Sequence, residues 1–235
     1  MKKSIILITL ALAIVIVLAF SACAKKDADT PESTETPYEV KLETGEEKSS
    51  DKPPDSYIIV NKEKREVSLY AKVNGKYVDK KKEEDTRHAI AFKGGSNGDS
   101  AILISLGSEK TLHKELLNLG FKPGDNLRIE DMSSGKKVEG DKLDVFVSWG
   151  GNEIPFADII LIGGQKPPLD IRFGGNLEAA TAMNTGSILC LDSCATGITS
   201  NAAYGTGSVE TKFYANIDAL PKDGTVVKVT FRAHR

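Results

Sequence analysis

The first 55 residues set the strongest limit on what this chain can fold into. An apolar stretch over residues 5–20 follows two lysines and ends in Phe20-Ser21-Ala22-Cys23. It is shorter than the roughly 20 residues that a spanning helix needs. The pattern predicts a lipoprotein signal peptide over 1–22, with Cys23 as the lipidated N-terminus. Phe20 stands where leucine is common, so anchoring by an uncleaved signal remains an alternative.

Residues 23–55 are expected to form the lipidated N-terminus and a disordered tether. This tract is rich in Lys, Asp, Glu, Thr, Ser and Pro and has few large apolar side chains. Such a segment buries too little surface to offset the entropy lost on ordering. The folded domain is therefore predicted over 56–235, a length sufficient for one core.

Charge and targeting restrict the partners. Lys and Arg number 31 against 33 Asp and Glu. This balance lacks the basic footprint that nucleic acid requires, so no nucleic-acid partner is expected. The expected partner is the lipid bilayer, through Cys23, and the expected location is the extracytoplasmic face of the cell membrane. That compartment permits disulfides.

The periodicity of the folded part predicts an α+β domain. Short alternating or apolar runs predict strands over 57–60, 67–71, 86–92, 101–106, 142–149, 187–191 and 226–231. A helix is predicted over 108–119, with Ser108 as its cap and Gly120 at its end. We expect a single compact domain of mainly antiparallel strands with a few short helices.

Three local signals give further predictions. Asn74-Gly75 between apolar residues predicts a type I′ hairpin turn. Residues 154–160 are expected to form a short helix with Pro155 in its first turn. Another short helix is expected over 176–184, ended by Gly186.

Cys190 and Cys194 are the two thiols of the predicted domain, in Cys190-Leu191-Asp192-Ser193-Cys194. The spacing lets a loop after a strand bring both sulfurs together. Three interpretations remain open: a structural disulfide or inert buried thiols, a redox-active pair, or a metal site completed by His88 or His113. Asp192 between the cysteines is expected to raise a thiol pKa. No metal is assigned; a four-iron cluster needs four cysteines, and there is no second cysteine pair.

Other residues suggest a binding site. His88 shares a predicted strand face with Ile90 and Phe92, which favours a core histidine over an acid–base group or a ligand. Glycine pairs follow Lys93 and Arg172, and these two cations with nearby backbone amides could hold an anion. Turn glycines are the simpler interpretation, since no phosphate-loop or dinucleotide motif is present.

The ordered series of motifs resembles the YdjY domain family, a bacterial family. The motifs are Arg87-His88, Phe92-Lys93-Gly94-Gly95-Ser96-Asn97-Gly98, Lys122-Pro123-Gly124-Asp125-Asn126, Val147-Ser148-Trp149-Gly150-Gly151, Ile171-Arg172-Phe173-Gly174-Gly175-Asn176 and Cys190-Leu191-Asp192-Ser193-Cys194. Some members are fused to ferredoxin-type modules, which implies association with redox proteins and a membrane or ferredoxin-like redox partner. This chain lacks such a module, so no cluster is expected. The resemblance implies that Arg87, His88, Arg172, Cys190 and Cys194 line one site.

Two functional hypotheses follow. The first is a membrane-anchored redox accessory protein that uses Cys190 and Cys194, alone or with an unidentified redox ligand. The second is a non-catalytic module that binds a small anionic ligand or a membrane partner, with the cysteines as structural elements. No motif identifies a reaction, so whether the protein is an enzyme stays open.

Overall fold

The computed structural model describes Glu46–Lys48 and Asp55–Arg235, a mostly β structure with three short α-helices. The strands are β1 (Glu46–Lys48), β2 (Ile58–Asn61), β3 (Glu66–Val73), β4 (His88–Phe92), β5 (Ala101–Ser105), β6 (Leu143–Trp149), β7 (Asn152–Pro155), β8 (Ile160–Leu161), β9 (Ile171–Phe173), β10 (Ser187–Cys190), β11 (Thr199–Asn201), β12 (Tyr214–Ala215) and β13 (Val226–Ala233). The helices are α1 (Gly75–Val78), α2 (Glu109–Asn118) and α3 (Leu177–Ala182). The expected α+β class is confirmed.

Eleven of these strands form one open mixed sheet. Its order is β7-β6-β13-β3-β5-β4-β10-β11-β9, and β1 pairs with β2, which also pairs with β3. Most neighbours are antiparallel, but β4 runs parallel to β5 and β10 runs parallel to β11. Parallel neighbours usually need a crossover of about a dozen residues or more. Here the short connections 93–100 and 191–198 join them, and the second carries Cys194.

The core lies against the central strands of this sheet. In β6 the buried residues Leu143, Val145 and Val147 alternate with partly exposed ones, as the sequence period predicts. Strand β3 is buried on both faces, including Ser68, although its sequence alternates. The Ser68 hydroxyl is accommodated by a hydrogen bond with that of Thr230 on β13, 2.9 Å away. Residues 67–71 of β3 are therefore buried on both faces of the sheet.

Helix α2 matches its predicted signals. The Ser108 hydroxyl accepts a hydrogen bond from the backbone amide of Thr111, which caps the first turn. Leu112 and Leu116 are fully buried, and burying a leucine contributes about 1.5–3 kcal/mol. Gly120 follows with a φ of 80°, a left-handed conformation that ends helices at low cost.

The predicted hairpin at Asn74-Gly75 is wrong. Asn74 has a φ of −90° and caps α1 instead, accepting a hydrogen bond from the Lys76 amide. Its side-chain amide donates to the carbonyl of Ala101 at 2.8 Å, which ties it to β5. The two-residue hairpin lies between β6 and β7, at Gly150-Gly151, where φ is 56° and 84°. Two positive φ values are what a type I′ turn requires.

The predicted helix over 154–160 is also wrong in part. Strand β7 continues to Pro155, and only Phe156–Ile159 forms a helical turn, of the 3₁₀ type. Ile154 pairs with Val147 of β6, so cross-strand pairing outweighs the helical preference of a proline near the first turn. Helix α3 forms as expected but is shorter than predicted.

The N-terminal predictions fall mostly outside the described residues. Strand β1 lies inside the predicted tether and pairs antiparallel with β2, Glu47 opposite Val60. The signal peptide, Cys23 and the remainder of the tether before Asp55 lie outside the part of the chain that the structure describes. Within that part, no helix is both long enough and apolar enough to cross a bilayer.

Candidate functional site

The two cysteines lie where a buried strand ends. Cys190 is the last residue of β10 and is only 1% exposed. Cys194 lies in the connection 191–198 and is the one residue of that connection that is not fully buried. We call the connection 191–198 the thiol loop. Both cysteines are free thiols in this structure, so the disulfide considered from the sequence is not formed.

A serine holds the thiol loop to its surroundings. Ser193 is buried, and its hydroxyl donates to the carbonyl of Tyr204 at 2.7 Å. The same hydroxyl accepts a hydrogen bond from the amide of Val138 at 3.0 Å. Because removing one buried partner costs about 1–3 kcal/mol, these bonds fix the loop backbone between the two thiols.

An asparagine holds the other half of the thiol loop. Asn176 directly precedes α3, and its side-chain amide donates to the carbonyl of Cys194 at 3.1 Å and to that of Gly197 at 3.3 Å. Its own backbone amide donates to the Asp125 carboxylate at 3.0 Å. The segments of Asp125 and Asn176 are far from the thiol loop in sequence, and the fold brings them together beside Cys194.

The two thiols have different acidities because they interact with each other. The Cys190 thiol donates a hydrogen bond to the Cys194 sulfur, and this bond, helped by the Thr196 hydroxyl 3.4 Å away, lowers the pKa of Cys194 to about 7. The same bond and burial raise the pKa of Cys190 well above its usual value. The pair therefore has one thiol that ionises near neutral pH, at the partly exposed position, and one that stays protonated.

Asp192 lies between the cysteines and is 4% exposed. Burial raises the pKa of its carboxyl group to about 6, although the Arg87 guanidinium lowers it. The two groups form an ion pair with 3.3 Å between Arg87 Nη1 and Asp192 Oδ2. The Asp192 charge also raises the pKa of both thiols, as the sequence predicted, but for Cys194 the hydrogen bonds outweigh it. Arg87 thus belongs to the thiol site through Asp192.

His88 is the backbone partner of Cys190 across β4 and β10. Burial, and secondarily the charge of Arg87, lowers the pKa of His88, so the imidazole is neutral at pH 7. Its Nδ1 is buried and has no hydrogen-bond partner among the described residues. The expected core histidine with satisfied nitrogens is therefore not what the structure has.

Arg172 lies in the same cross-strand row as Cys190. His88, Cys190, Ser200 and Arg172 are successive register partners across β4, β10, β11 and β9. At about 4.8 Å per strand, the backbones of Arg172 and His88 are about 14 Å apart. The Arg172 guanidinium binds the Asp170 carboxylate through two bonds of 3.0 Å. This bidentate pairing leaves little positive charge for an anionic ligand.

Lys93 is not brought to this site. It follows the last residue of β4, whereas Cys190 pairs with His88 at the first residue of that strand. At about 3.3 Å per residue, Lys93 is about 17 Å along the strand from His88. The described residues also contain no group of three His, Cys, Asp or Glu side chains arranged to hold a metal ion. His113, the other candidate ligand, packs its ring edge-on against Phe173 instead.

Comparison with known proteins places this arrangement in a family. The YdjY domain family model matches residues 58–232. The chain belongs to the YdjY domain family. It is also 38% identical over 171 residues to "Uncharacterized protein YdjY" of Escherichia coli (strain K12), which covers 71% of this chain and 74% of that protein. No solved structure matches it.

Two of the other YdjY motifs, those that contain Asp125 and Asn176, lie beside the thiol loop. Gly175 has a φ of 82°, and a Cβ there would overlap Asp125 Oδ1. Glycine at this position therefore lets the motif around Asp125 reach the amide of Asn176, which in turn binds Cys194. The glycine pairs that suggested an anion site act as turns and close backbone contacts, the simpler of the two interpretations.

Sequence reasoning missed several residues of this YdjY site. Asn176, Ser193 and Thr196 hold or tune the thiol loop, and Ser200 is the register partner of Cys190 with a buried hydroxyl that lacks a hydrogen-bond partner in the described chain. A signal existed for Asn176 and Ser193, because both lie inside the motifs that carry the family resemblance. No local signal distinguishes Ser200 from other buried serines.

Proposed function

We propose that this YdjY domain performs thiol–disulfide exchange through Cys190 and Cys194. One observation carries the proposal: the two free thiols share a hydrogen bond that makes the partly exposed Cys194 more acidic and the buried Cys190 less so. An accessible thiol with a pKa near ambient pH is the best attacking group for a disulfide. The buried thiol of Cys190, which is protected from solvent, is suited to attack in the second step.

In the first step, the Cys194 thiolate attacks one sulfur of a substrate disulfide. A bond forms between Cys194 and that sulfur, the substrate S–S bond breaks, and the other substrate sulfur leaves as a thiolate that takes up a proton. In the second step, Cys190 loses its proton and attacks Cys194. The Cys190–Cys194 disulfide forms, and the remaining substrate sulfur leaves and is protonated. Two electrons and two protons thus pass to the substrate, and a dithiol donor restores the pair by the reverse steps.

The rigid thiol loop supports this role. Hydrogen bonds from Asn176 and Ser193 hold the backbone on both sides of Cys194, so the thiol is presented at a fixed position. The alternative, a module for an anionic ligand, has less support, because Arg87 and Arg172 are each paired with a carboxylate. The redox partner implied by the family resemblance would be a membrane or ferredoxin-like protein.

The proposal is tested by titrating the purified protein in graded dithiothreitol or glutathione buffers and counting free thiols by alkylation and mass spectrometry. A working pair should convert to one intramolecular disulfide with a midpoint between about −120 and −230 mV. A midpoint below about −300 mV would instead indicate a structural disulfide. Thiols that stay reduced in every buffer would contradict both.

Single variants separate the roles of the two cysteines. Cys190→Ser should accumulate a mixed disulfide between Cys194 and glutathione, because the second step is blocked. Cys194→Ser is the matched control and should trap little glutathione at the buried Cys190. Equal trapping in both variants would refute the assigned order of attack.

We also propose that Cys23 is lipidated and anchors the domain at the extracytoplasmic face of the cell membrane. The support is the sequence: a short apolar stretch that ends in Ser21-Ala22-Cys23. Cys23→Ala should release the protein from membranes or stall its processing, as seen by fractionation and gel mobility. A variant that fractionates and migrates like the wild type would refute lipidation.

A further inference from the structure

The second step of the proposed thiol exchange must remove a proton from a buried thiol. Cys190 is only 1% exposed, and its thiol stays protonated because the hydrogen bond to Cys194 and burial both raise its pKa. A thiol becomes an effective nucleophile for a disulfide only as the thiolate. Because Cys190 is almost closed to water, a neighbouring side chain is needed to take this proton.

His88 is the neighbour of Cys190 on β4, directly opposite it. A register shift separates Leu189 from Cys190, but regular pairing resumes there, since the Leu191 amide donates to the Arg87 carbonyl at 2.8 Å. In an antiparallel ladder, the pair next to such a hydrogen-bonded pair is the close type, with Cα atoms about 4.5 Å apart and side chains on the same face. The imidazole and the thiol therefore lie side by side on one face of the sheet.

The imidazole of His88 is in the state that a base requires. Burial, and secondarily the charge of Arg87, lowers its pKa below the usual 6.5, so the ring is neutral at pH 7. Its Nδ1 is buried and has no hydrogen-bond partner in the described part of the chain, whereas Nε2 is not an unpaired buried atom. We assign the ring proton to Nε2, which can donate to water, and this leaves Nδ1 as a free acceptor.

The neighbour of Cys190 on the other side favours a thiolate there. Ser200 on β11 is its parallel register partner, and the Ser200 hydroxyl is also buried without a hydrogen-bond partner among the described residues. A Cβ on Gly197 would lie 2.5 Å from Ser200 Oγ and 3.2 Å from Cys190 Sγ, so both atoms face the same point. A hydroxyl can donate as well as accept, so Ser200 is placed to bond to the sulfur once it has lost its proton.

We propose that His88 is the base that takes the proton of Cys190 in the second step of the exchange, an inference that rests on the function proposed above. In the reduced pair the Cys190 thiol donates to Cys194, so His88 Nδ1 receives no hydrogen bond from it. Once Cys194 carries the substrate sulfur it is no longer a thiolate, and the Cys190 thiol is released to turn toward Nδ1.

The protons and electrons of this step balance. The Cys190 proton moves to His88 Nδ1, and the Cys190 sulfur attacks Cys194. The bond between the two cysteines forms, the bond from Cys194 to the substrate sulfur breaks, and that sulfur leaves with the electron pair and takes up a proton from solvent. The imidazolium becomes neutral again by releasing the Nε2 proton to solvent, since His88 is partly exposed.

Asp192 is the other group able to take this proton. It is buried, and its charge raises the pKa of Cys190, but its carboxylate is already paired with Arg87 at 3.3 Å. On the β5 side the register partner of His88 is Ala101, which has no charge. His88 is favoured because its acceptor nitrogen is unoccupied, and the test below includes Asp192 as the competitor.

The test follows the reaction of dithiobis(nitrobenzoate) with the reduced, purified full chain by stopped-flow absorbance. The chain carries Cys23→Ala, so that only Cys190 and Cys194 react. Attack by Cys194 releases the first thionitrobenzoate at a rate that rises with reagent concentration. Attack by Cys190 on the mixed disulfide releases the second at a rate that does not depend on it.

Variants then assign the base. His88→Gln keeps a polar side chain that cannot take up a proton, and it should slow the second release at least ten-fold at pH 7 while changing the first less than two-fold. The first release thus serves as the check that the variant is folded. His113→Gln is the matched control and should change neither release, because His113 packs against Phe173 away from this pair.

The pH dependence separates a base from a structural role. The wild-type rate of the second release should rise through the pKa of His88 and then stay level from about pH 6.5 to about pH 8.5. In His88→Gln it should rise about ten-fold per pH unit over that range, because the Cys190 thiolate must then form without a base. Asp192→Asn should keep the level region.

An unchanged second release in His88→Gln, or a wild-type rate without the level region, would overturn the proposal. A level region that is lost in Asp192→Asn and kept in His88→Gln would assign the proton to Asp192 and overturn it as well. In each of these cases two equivalents are released, so the thiol exchange itself stands. Release of a single equivalent from the protein with native His88 would refute the exchange and this inference with it.

Discussion

The acidity of Cys194 depends mainly on one hydrogen bond, and this can be tested directly. The Cys190 thiol is the main cause of the lowered pKa of Cys194, ahead of the opposing effect of burial. Cys190→Ala removes the donor, so the pKa of Cys194 should return toward its ordinary value of 9.0. Cys190→Ser keeps a hydroxyl donor at the same position and should preserve most of the effect.

The expected change in reactivity follows from the two pKa values. At pH 7, a thiol with a pKa of about 7 is about half ionised, whereas one with a pKa near 9 is about 1% ionised. The thiolate fraction therefore falls about 50-fold. A more basic thiolate is also more nucleophilic, and a Brønsted coefficient of about 0.4–0.5 returns about six- to ten-fold over two pK units. The net rate at Cys194 should fall by about five- to eight-fold.

The assay is alkylation of the reduced protein by iodoacetamide between pH 5 and 10, with the Cys194 peptide quantified by mass spectrometry. The wild type should show an inflection near pH 7, Cys190→Ser one close to it, and Cys190→Ala one near pH 9. A wild-type inflection near 9 would refute the lowered pKa. An inflection near 7 that persists in Cys190→Ala would refute the hydrogen bond as its cause.

Three further predictions concern stability and are measured by urea unfolding. The Asp192 carboxyl group has a pKa of about 6 in the folded protein against its ordinary 3.8, so its ionisation opposes folding. The stability that comes from the protonated carboxyl group is fully present below pH 4 and is lost as the pH rises to 6. This loss is about 3 kcal/mol in the free energy of unfolding. In Asp192→Asn this loss should be absent, and parallel pH profiles of variant and wild type would contradict it. Ser193→Ala should destabilise by about 1–3 kcal/mol, because the buried amide of Val138 loses its acceptor, and an unchanged free energy would contradict the loop's anchoring. Gly95→Ala should lower the free energy of unfolding by about 1–3 kcal/mol or more, since its Cβ would lie 2.5 Å from the backbone of Gly186. Gly164→Ala is the control, because a Cβ there meets open space at a φ of 78°, and it should cost about 1 kcal/mol.

Features determined by neighbours in sequence could be predicted. Helix α2 was predicted correctly because its cap Ser108, its leucine stripe and its terminal Gly120 all act within the segment itself. The strand that ends in Cys190 was predicted for the same reason. The proximity of Cys190 and Cys194 also followed from the sequence, since only a short loop separates them.

Features determined by distant partners could not be predicted. Asn74-Gly75 has the composition of a hairpin turn, yet the Asn74 side chain bonds to β5, about 27 residues away, and caps a helix. Strands β9 and β11 have only three residues each, and neither has a local sequence pattern strong enough to predict a strand. Their pairing with each other and with β10 is what places Arg172 in the row of Cys190.

The family motifs, the α+β class and the two-thiol segment could be predicted from the amino-acid sequence, because these depend on periodicity and short spacing. The chemical properties of the two thiols, in contrast, depend on the fold. Asn176 and Val138 approach the thiol loop from separate segments, and their hydrogen bonds fix its backbone. The hydrogen bond between the two sulfurs then separates their acidities, and burial raises the pKa of Cys190 further. Hydrogen bonding and desolvation depend on which atoms meet in space, and a linear sequence does not specify this.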